Sequence, residues 1–332
     1  MQHDVVIPML EPTWCTRAVI EGLFHHYRPR RVHVIAPADG CETLRRVVSD
    51  ERWSIGEWQV HEEESFFSSP GSSKAELGRL VDTSRSLYSP GWFYQQLLKL
   101  GAWDGIEGLS ESYLVWDADL LPIETWPVLD AEGRPIYALL QHNSRGNPDI
   151  VGRWASWIRE VLGVEPIEDD AATFVPHHMW FERSSLIAMM DRLAVYYDSD
   201  EPWPVLMMRS ANDFGTFSEY WLYASWLASR SPDEPRCYPY SAYGETTERF
   251  FDNGTGPFSG AMRERGAWAG DRSPSYAEVA AFVEVVYAGG PLPSSIAFEQ
   301  SPRHIKKNKA NMHLEEVRSR WHAATLDLDL DL

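Results

Sequence analysis

The chain is short of positive charge. Thirty Lys and Arg stand against 49 Asp and Glu over 332 residues, a formal net charge of −19. A protein that wraps nucleic acid needs a basic face to displace counterions, so that class is excluded and no nucleic-acid partner is expected. A small anionic ligand is not excluded, because a local basic cluster overrides a global sign. Cysteine is scarce as well. Cys15, Cys41 and Cys237 are far apart and odd in number; they offer neither a disulfide framework nor a zinc spacing, which points to a reducing compartment. No apolar run approaches the length of a membrane span. No charged leader with an apolar stretch precedes the first strand-like segment. The expectation is a cytoplasmic protein without a transmembrane segment. What the chain does have in excess is Trp, 15 residues. Most Trp pack in cores, but a flat apolar ring with an N–H donor also suits a sugar.

Val5-Val6-Ile7-Pro8-Met9-Leu10 reads as a strand. Thr13 is placed to cap a helix that buries Ala18, Val19, Leu23 and Phe24 and stops near Arg28-Pro29. A second apolar run over 31–37 ends in Ala38-Asp39-Gly40, a turn pattern. Strands alternating with helices predict a parallel sheet whose strand ends meet a ligand. Pro8 and Asp39 lie at such ends, although Asp-Gly also simply makes turns. Residues 61–90 break the rhythm and read as a surface excursion with a short helix over 75–81. Downstream, the patterns predict strands over 113–116, 136–141, 174–181 and 296–298. Helices are expected over 154–162, 217–229 and 276–287, with Ser184 or Ser185 capping another. Residues 252–275 read as loop, and 327–332 as a low-complexity tail.

Asp-x-Asp occurs four times, at 117/119, 198/200, 327/329 and 329/331. Only Asp117-Ala118-Asp119 follows an apolar strand, Tyr113-Leu114-Val115-Trp116, and precedes an apolar segment. Two carboxylates on one turn hold a hard divalent cation, Mn2+ or Mg2+, with water and phosphate oxygens filling the other positions. If the strand continues, residues i and i+2 point the same way and reach one ion. The alternative is an acidic turn after an edge strand.

Gly91-Trp92-Phe93-Tyr94-Gln95-Gln96-Leu97-Leu98-Lys99-Leu100, then Trp116-Asp117-Ala118-Asp119, then Phe217-Ser218-Glu219-Tyr220 together resemble a family of bacterial nucleotide-sugar glycosyltransferases with the GT-A fold. The order and approximate spacing match over about residues 4–310. The resemblance implies a mixed α/β, Rossmann-type sheet flanked by helices in one domain, 1–310. A donor-nucleotide half, 1–122, would precede an acceptor half, 123–310, and a C-terminal helix with an acidic tail, 311–332. It implies a hexosyltransferase-like enzyme with a UDP- or GDP-type sugar donor, a glycan or other hydroxyl acceptor, and a divalent metal on Asp117 and Asp119. His304 would be a third ligand, as a C-terminal His is in many GT-A enzymes. Two rival readings remain. A nucleotidyltransferase on a related fold usually carries a Gly-rich, basic loop after the first strand, where this chain has Glu11-Pro12-Thr13-Trp14. A non-catalytic carbohydrate-binding protein would use Trp platforms without metal.

Other residues carry paired readings. Glu219 is a candidate base for an acceptor hydroxyl, or it completes a capping box with Thr216 as N-cap. Asp213 is a competing base or a loop residue. His177 and His178 lie in an alternating segment, so at most one lines a given site; His178 is favoured, with Trp180, for the acceptor. Trp116, with Trp92 and Trp221, is another candidate for sugar stacking. Gln95 and Lys99, one turn apart, either touch phosphate or form a polar helix surface. Arg303-His304-Ile305-Lys306-Lys307-Asn308-Lys309 is a basic cluster that suits a diphosphate, with Lys306 at its centre, or else a solvated face.

Overall fold

The computed structural model describes residues 3–125, 127–141, 148–167, 172–173, 177–230, 237–239, 247–250, 252, 254, 256–288 and 290–298. Three apolar runs make its centre. Strands β1 (Asp4–Pro8), β2 (Arg31–Ala36) and β4 (Ser112–Trp116) are buried along nearly their whole length. A strand covered on both faces needs no polar alternation, which is why these read as continuous apolar runs. β3 (Trp58–Glu62) forms one edge and stays partly exposed. β8 (His178–Glu182) forms the other. The order is β3-β2-β1-β4-β8; the first four strands are parallel and β8 runs antiparallel to β4. Helices α1 (Thr16–Tyr27) and α2 (Ala38–Glu51) follow β1 and β2 as crossovers. The result is a mixed α/β sheet flanked by helices, with the parallel strands that the alternation predicts and an antiparallel β8 at one edge.

A second sheet, β10 (Thr247–Phe250), β11 (Ser295–Phe298) and β5 (Leu120–Pro122), begins where β4 ends. β11 runs antiparallel to β5, and Phe298 N–H donates to Asp119 O at 2.8 Å. The late strand thereby ties down the acidic turn. A third sheet joins β7 (Ala172–Thr173), β6 (Tyr137–Gln141) and β9 (Cys237–Pro239).

Several local expectations are corrected. Ala38-Asp39-Gly40 is not a turn but the opening of α2, with Pro37 as N-cap. The glycine serves close approach: a Cβ at Gly40 would lie 2.8 Å from Leu10 O. Thr13 does not cap α1; its N–H instead donates to Thr16 Oγ1, and Cys15 holds the cap position without a side-chain bond. Neither Ser184 nor Ser185 caps α6 (Arg183–Tyr197), because the helix already starts at Arg183. Residues 252–275 contain α9 (Pro257–Glu264). Buried Asp252 accepts bonds from the N–H groups of Gly254, Gly256 and Ser259 and from Ser259 Oγ, so the Gly/Ser/Pro content serves a helix start rather than a loose loop. In 174–181, only 177–181 lie among the described residues, and the strand begins at His178.

The 61–90 segment is packed. It holds α3 (Lys74–Leu80), capped by a Ser73/Glu76 box, and it buries Phe66, Phe67 and Leu77. Two glycines of α4 (Pro90–Gly105) make room for the Phe pair. A Cβ at Gly101 would sit 2.5 Å from the Phe67 ring, and one at Gly105 2.2 Å from Phe66. Ala raises helix propensity by about 1 kcal/mol, whereas overpacking costs about 1–3 kcal/mol. Gly101→Ala is therefore expected to destabilise. Gly152→Ala, on the exposed face of α5 (Pro148–Trp157) with nothing within 4 Å, is expected to stabilise. Urea unfolding midpoints that move in the same direction would refute the close contact.

Trp116, Trp157 and Trp180 are among the largest fully buried side chains. Most of the Trp near the site thus serves the core. No described helix is long and apolar enough to cross a membrane.

Candidate metal centre

The acidic pair sits at the carboxyl end of β4, where a parallel sheet exposes its ligand-facing edge. The strand does not continue through it. Leu120 N–H donates to Asp117 O at 3.1 Å, closing a turn between β4 and β5. Trp116, fully buried, reaches over that turn and donates its indole N–H to Leu120 O at 2.7 Å. The aromatic residue before the first Asp therefore braces the loop. Asp117 N–H donates to His177 O at 2.8 Å, which fixes the turn against the segment entering β8.

Asp117 is held from several sides. Its Oδ1 lies 2.7 Å from Lys99 Nζ and accepts the Tyr220 hydroxyl at 2.9 Å; its Oδ2 bonds His177 Nδ1 at 3.0 Å. Lys99, on α4, also donates to Glu219 Oε1 at 2.8 Å and lies 4.5 Å from the centre of the Tyr220 ring. Glu219 and Tyr220 open α8 (Glu219–Arg230). Burial alone would push the Asp117 carboxyl up. The Lys99 charge and the His177 bond outweigh it and hold the carboxyl well below the usual range. Burial would likewise draw the Lys99 ammonium down, but Asp117 and Glu219 raise it well above its ordinary value. The Tyr220 phenol is pushed well up, chiefly by burial and then by the Asp117 charge, so it stays a donor.

Asp117, Asp119 and His177 each bring one ligand atom within 4.8 Å of the others. His177 adopts φ of 63°, the left-handed region. A non-glycine residue there carries backbone strain and is enriched at functional positions. Two carboxylates and an imidazole suit a divalent cation of the Mn2+ type, since oxygen donors take hard ions and imidazole takes borderline ones.

Lys99 is buried and central, not on a polar helix surface. Glu219 is the first residue of α8, not its third, so the capping box with Thr216 does not form; its carboxylate serves Lys99. Gln95 is half-buried and takes no part in the cluster. Asp213 is exposed on α7 (Trp203–Phe214) and accepts the Tyr197 hydroxyl. Asp39 is exposed in the first turn of α2, its Oδ1 accepting Gly40 N–H. Pro8 is buried at the end of β1, on the same sheet edge as Trp116. His178 is buried opposite Trp116, with ring centroids 5.0 Å apart. Trp180 is 2 % exposed and donates to Val128 O, so neither it nor Trp116 offers a ring face for sugar stacking. Trp221 is also buried, donating to Ile167 O, while Trp92 is half-buried and stacks on Tyr88. His304 and Lys306 lie outside the described residues.

Strand alternation could not select His177, because its left-handed backbone stands just outside β8 and breaks the period. The adjacency of two His after an acidic strand end was the available signal.

A family model described as a family of unknown function, DUF6492, matches residues 16–248. The chain belongs to the DUF6492 family. The family match takes in the whole cluster, from Lys99 to Tyr220. No curated protein matches the sequence. Among solved structures, mouse xyloside xylosyltransferase 1 in its apo form is similar at 8 % identity and a TM-score of 0.42, over 75 % of this DUF6492 chain and 88 % of that one. An active-site mutant of LgtC is similar at 12 % identity and a TM-score of 0.37, over 95 % of both chains. A 4-diphosphocytidyl-2C-methyl-D-erythritol synthase from Anaerococcus prevotii DSM 20548 is similar at 9 % identity and a TM-score of 0.28, over 60 % of this chain and 86 % of that one.

Proposed function

We propose that this chain is a metal-dependent glycosyltransferase that moves a sugar from a nucleoside-diphosphate sugar to a hydroxyl acceptor. The observation that carries the reading is the Asp117–Asp119–His177 group at the carboxyl end of a parallel sheet strand. The sequence resemblance of residues 91–100, 116–119 and 217–220 supports it. Asp117, Asp119 and His177 would hold Mn2+ or Mg2+, with His304 a further candidate. Bound there, such an ion would neutralise the charge that develops on a departing diphosphate. The chain's own contribution is preorganisation. Trp116, Leu120 and Phe298 fix the turn, and Lys99 and Tyr220 fix one oxygen of Asp117. Carboxylates held in this way lose little further freedom when a ligand arrives. Pro8, at the end of β1, and Asp39, in the first turn of α2, are the candidates for contact with the nucleotide.

Titration calorimetry with UDP and GDP, each with and without Mn2+, tests the reading. Binding of one nucleotide that strengthens about tenfold or more with Mn2+ is expected from the charge neutralisation. Failure of both to bind, or equal binding without metal, would remove the metal role. Release of pyrophosphate from a nucleoside triphosphate would move the protein to the nucleotidyltransferase class.

A further inference from the structure

Glu219 and Lys99 form a buried pair directly behind the candidate metal centre. Their side chains are each 5 % exposed, and Lys99 Nζ lies between Glu219 Oε1 at 2.8 Å and Asp117 Oδ1 at 2.7 Å. The three groups come from three separate elements: α4, α8 and the turn after β4. The Tyr220 ring lies beside the ammonium and its hydroxyl reaches the same Asp117 oxygen. A long, flexible Lys side chain is thus fixed from several directions at once.

Lys99 places a positive charge against a carboxylate that is itself a candidate metal ligand. Unbalanced, that charge would repel a divalent cation at the same site. Glu219 sets a second carboxylate against that one ammonium, beside Asp117. Glu219 is also poorly placed to reach an acceptor, since its side chain is buried and its Oε1 is taken by Lys99. We infer that Glu219 is a positioning residue: it cancels the charge of Lys99 and holds the ammonium so that Lys99 orients Asp117 without weakening metal binding. The inference rests on the metal-centre reading and assigns Glu219 to the metal rather than to the acceptor.

The test is Mn2+ affinity, measured by titration calorimetry and by the paramagnetic resonance signal of free Mn2+. It compares the full-length wild-type chain, Glu219→Gln and the double variant Lys99→Met/Glu219→Gln. Glu219→Gln leaves the Lys99 charge unbalanced and is expected to weaken Mn2+ about tenfold or more. Removing both charges is expected to recover most of that loss, the remainder being the contact by which Lys99 orients Asp117, which Tyr220 and His177 still hold. A base or a purely structural residue would not give this pattern of loss and rescue. Equal Mn2+ affinity in wild type and Glu219→Gln would overturn the assignment while leaving the metal site standing. Wild-type protein that takes up no Mn2+ would overturn the metal site and this inference together. Should Glu219→Gln fold poorly, the double variant decides alone, since it leaves neither partner of the pair charged; Mn2+ affinity about tenfold or more below wild type in it overturns the inference.

Discussion

Asp119→Ala is expected to cut metal-dependent sugar transfer by about a thousandfold or more in kcat/KM, through loss of Mn2+, while the fold persists. The two acidic residues of the turn are not equivalent. Phe298 binds the main-chain carbonyl of Asp119, and a substitution keeps that bond. Asp117 carries three side-chain partners, Lys99, Tyr220 and His177. Asp117→Ala would take one of two carboxylates from buried Lys99 and the carboxylate that Tyr220 and His177 bond, so its loss of activity would mix chemistry with folding. Asp117→Asn preserves more of the packing and is the better companion variant. Transfer rate, Mn2+ affinity and thermal unfolding, measured on Asp119→Ala and Asp117→Asn, separate the two effects. Transfer by Asp119→Ala within a few-fold of wild type would remove Asp119 from the site.

What the sequence shows of the fold follows from burial. β1, β2 and β4 are covered on both faces, so their apolar runs stand out. Where tertiary contact overrides local pattern, the reading fails. Gly40 looks like a turn residue because Asp-Gly chemistry makes turns, yet it is there to pass the Leu10 backbone. The Gly, Pro and Ser of 252–275 look like loop, yet they build the start of α9 around Asp252. The 61–90 excursion looks loose because its apolar residues are few, and yet Phe66 and Phe67 seat against glycines of α4.

The site divides in the same way. The acidic turn is legible because it ends an apolar strand. Lys99 is ambiguous in sequence, since a Lys on an amphipathic helix reads as a polar face. Only its partners, 18 and 120 positions away at Asp117 and Glu219, show that it is internal. Glu219 in Thr216-Phe217-Ser218-Glu219 mimics a capping box, and where α8 begins decides against it. Alternation admits only one of His177 and His178 to a site and does not choose between them, and the left-handed His177 stands outside the strand. Long-range charge pairing and a left-handed residue are properties of the folded chain, with no local pattern to announce them.

The same pairing predicts a large effect on stability. Lys99→Met is expected to cost about 3–5 kcal/mol of unfolding free energy, because it leaves two carboxylates without their buried cation. The fault is in the carboxylates left behind, not in the loss of an intrinsically strong bond. Taking charges out of water offsets much of what a buried pair gains, and apolar or neutral replacements of both partners are often tolerated. Lys99→Met/Glu219→Gln should therefore recover most of the loss, with Asp117 still served by Tyr220 and His177. Urea unfolding of the wild type, both single variants and the double gives the coupling directly. If the double variant loses as much as Lys99→Met plus Glu219→Gln added together, the two residues act independently, and the cluster cannot be the charge-balanced unit that its distances describe.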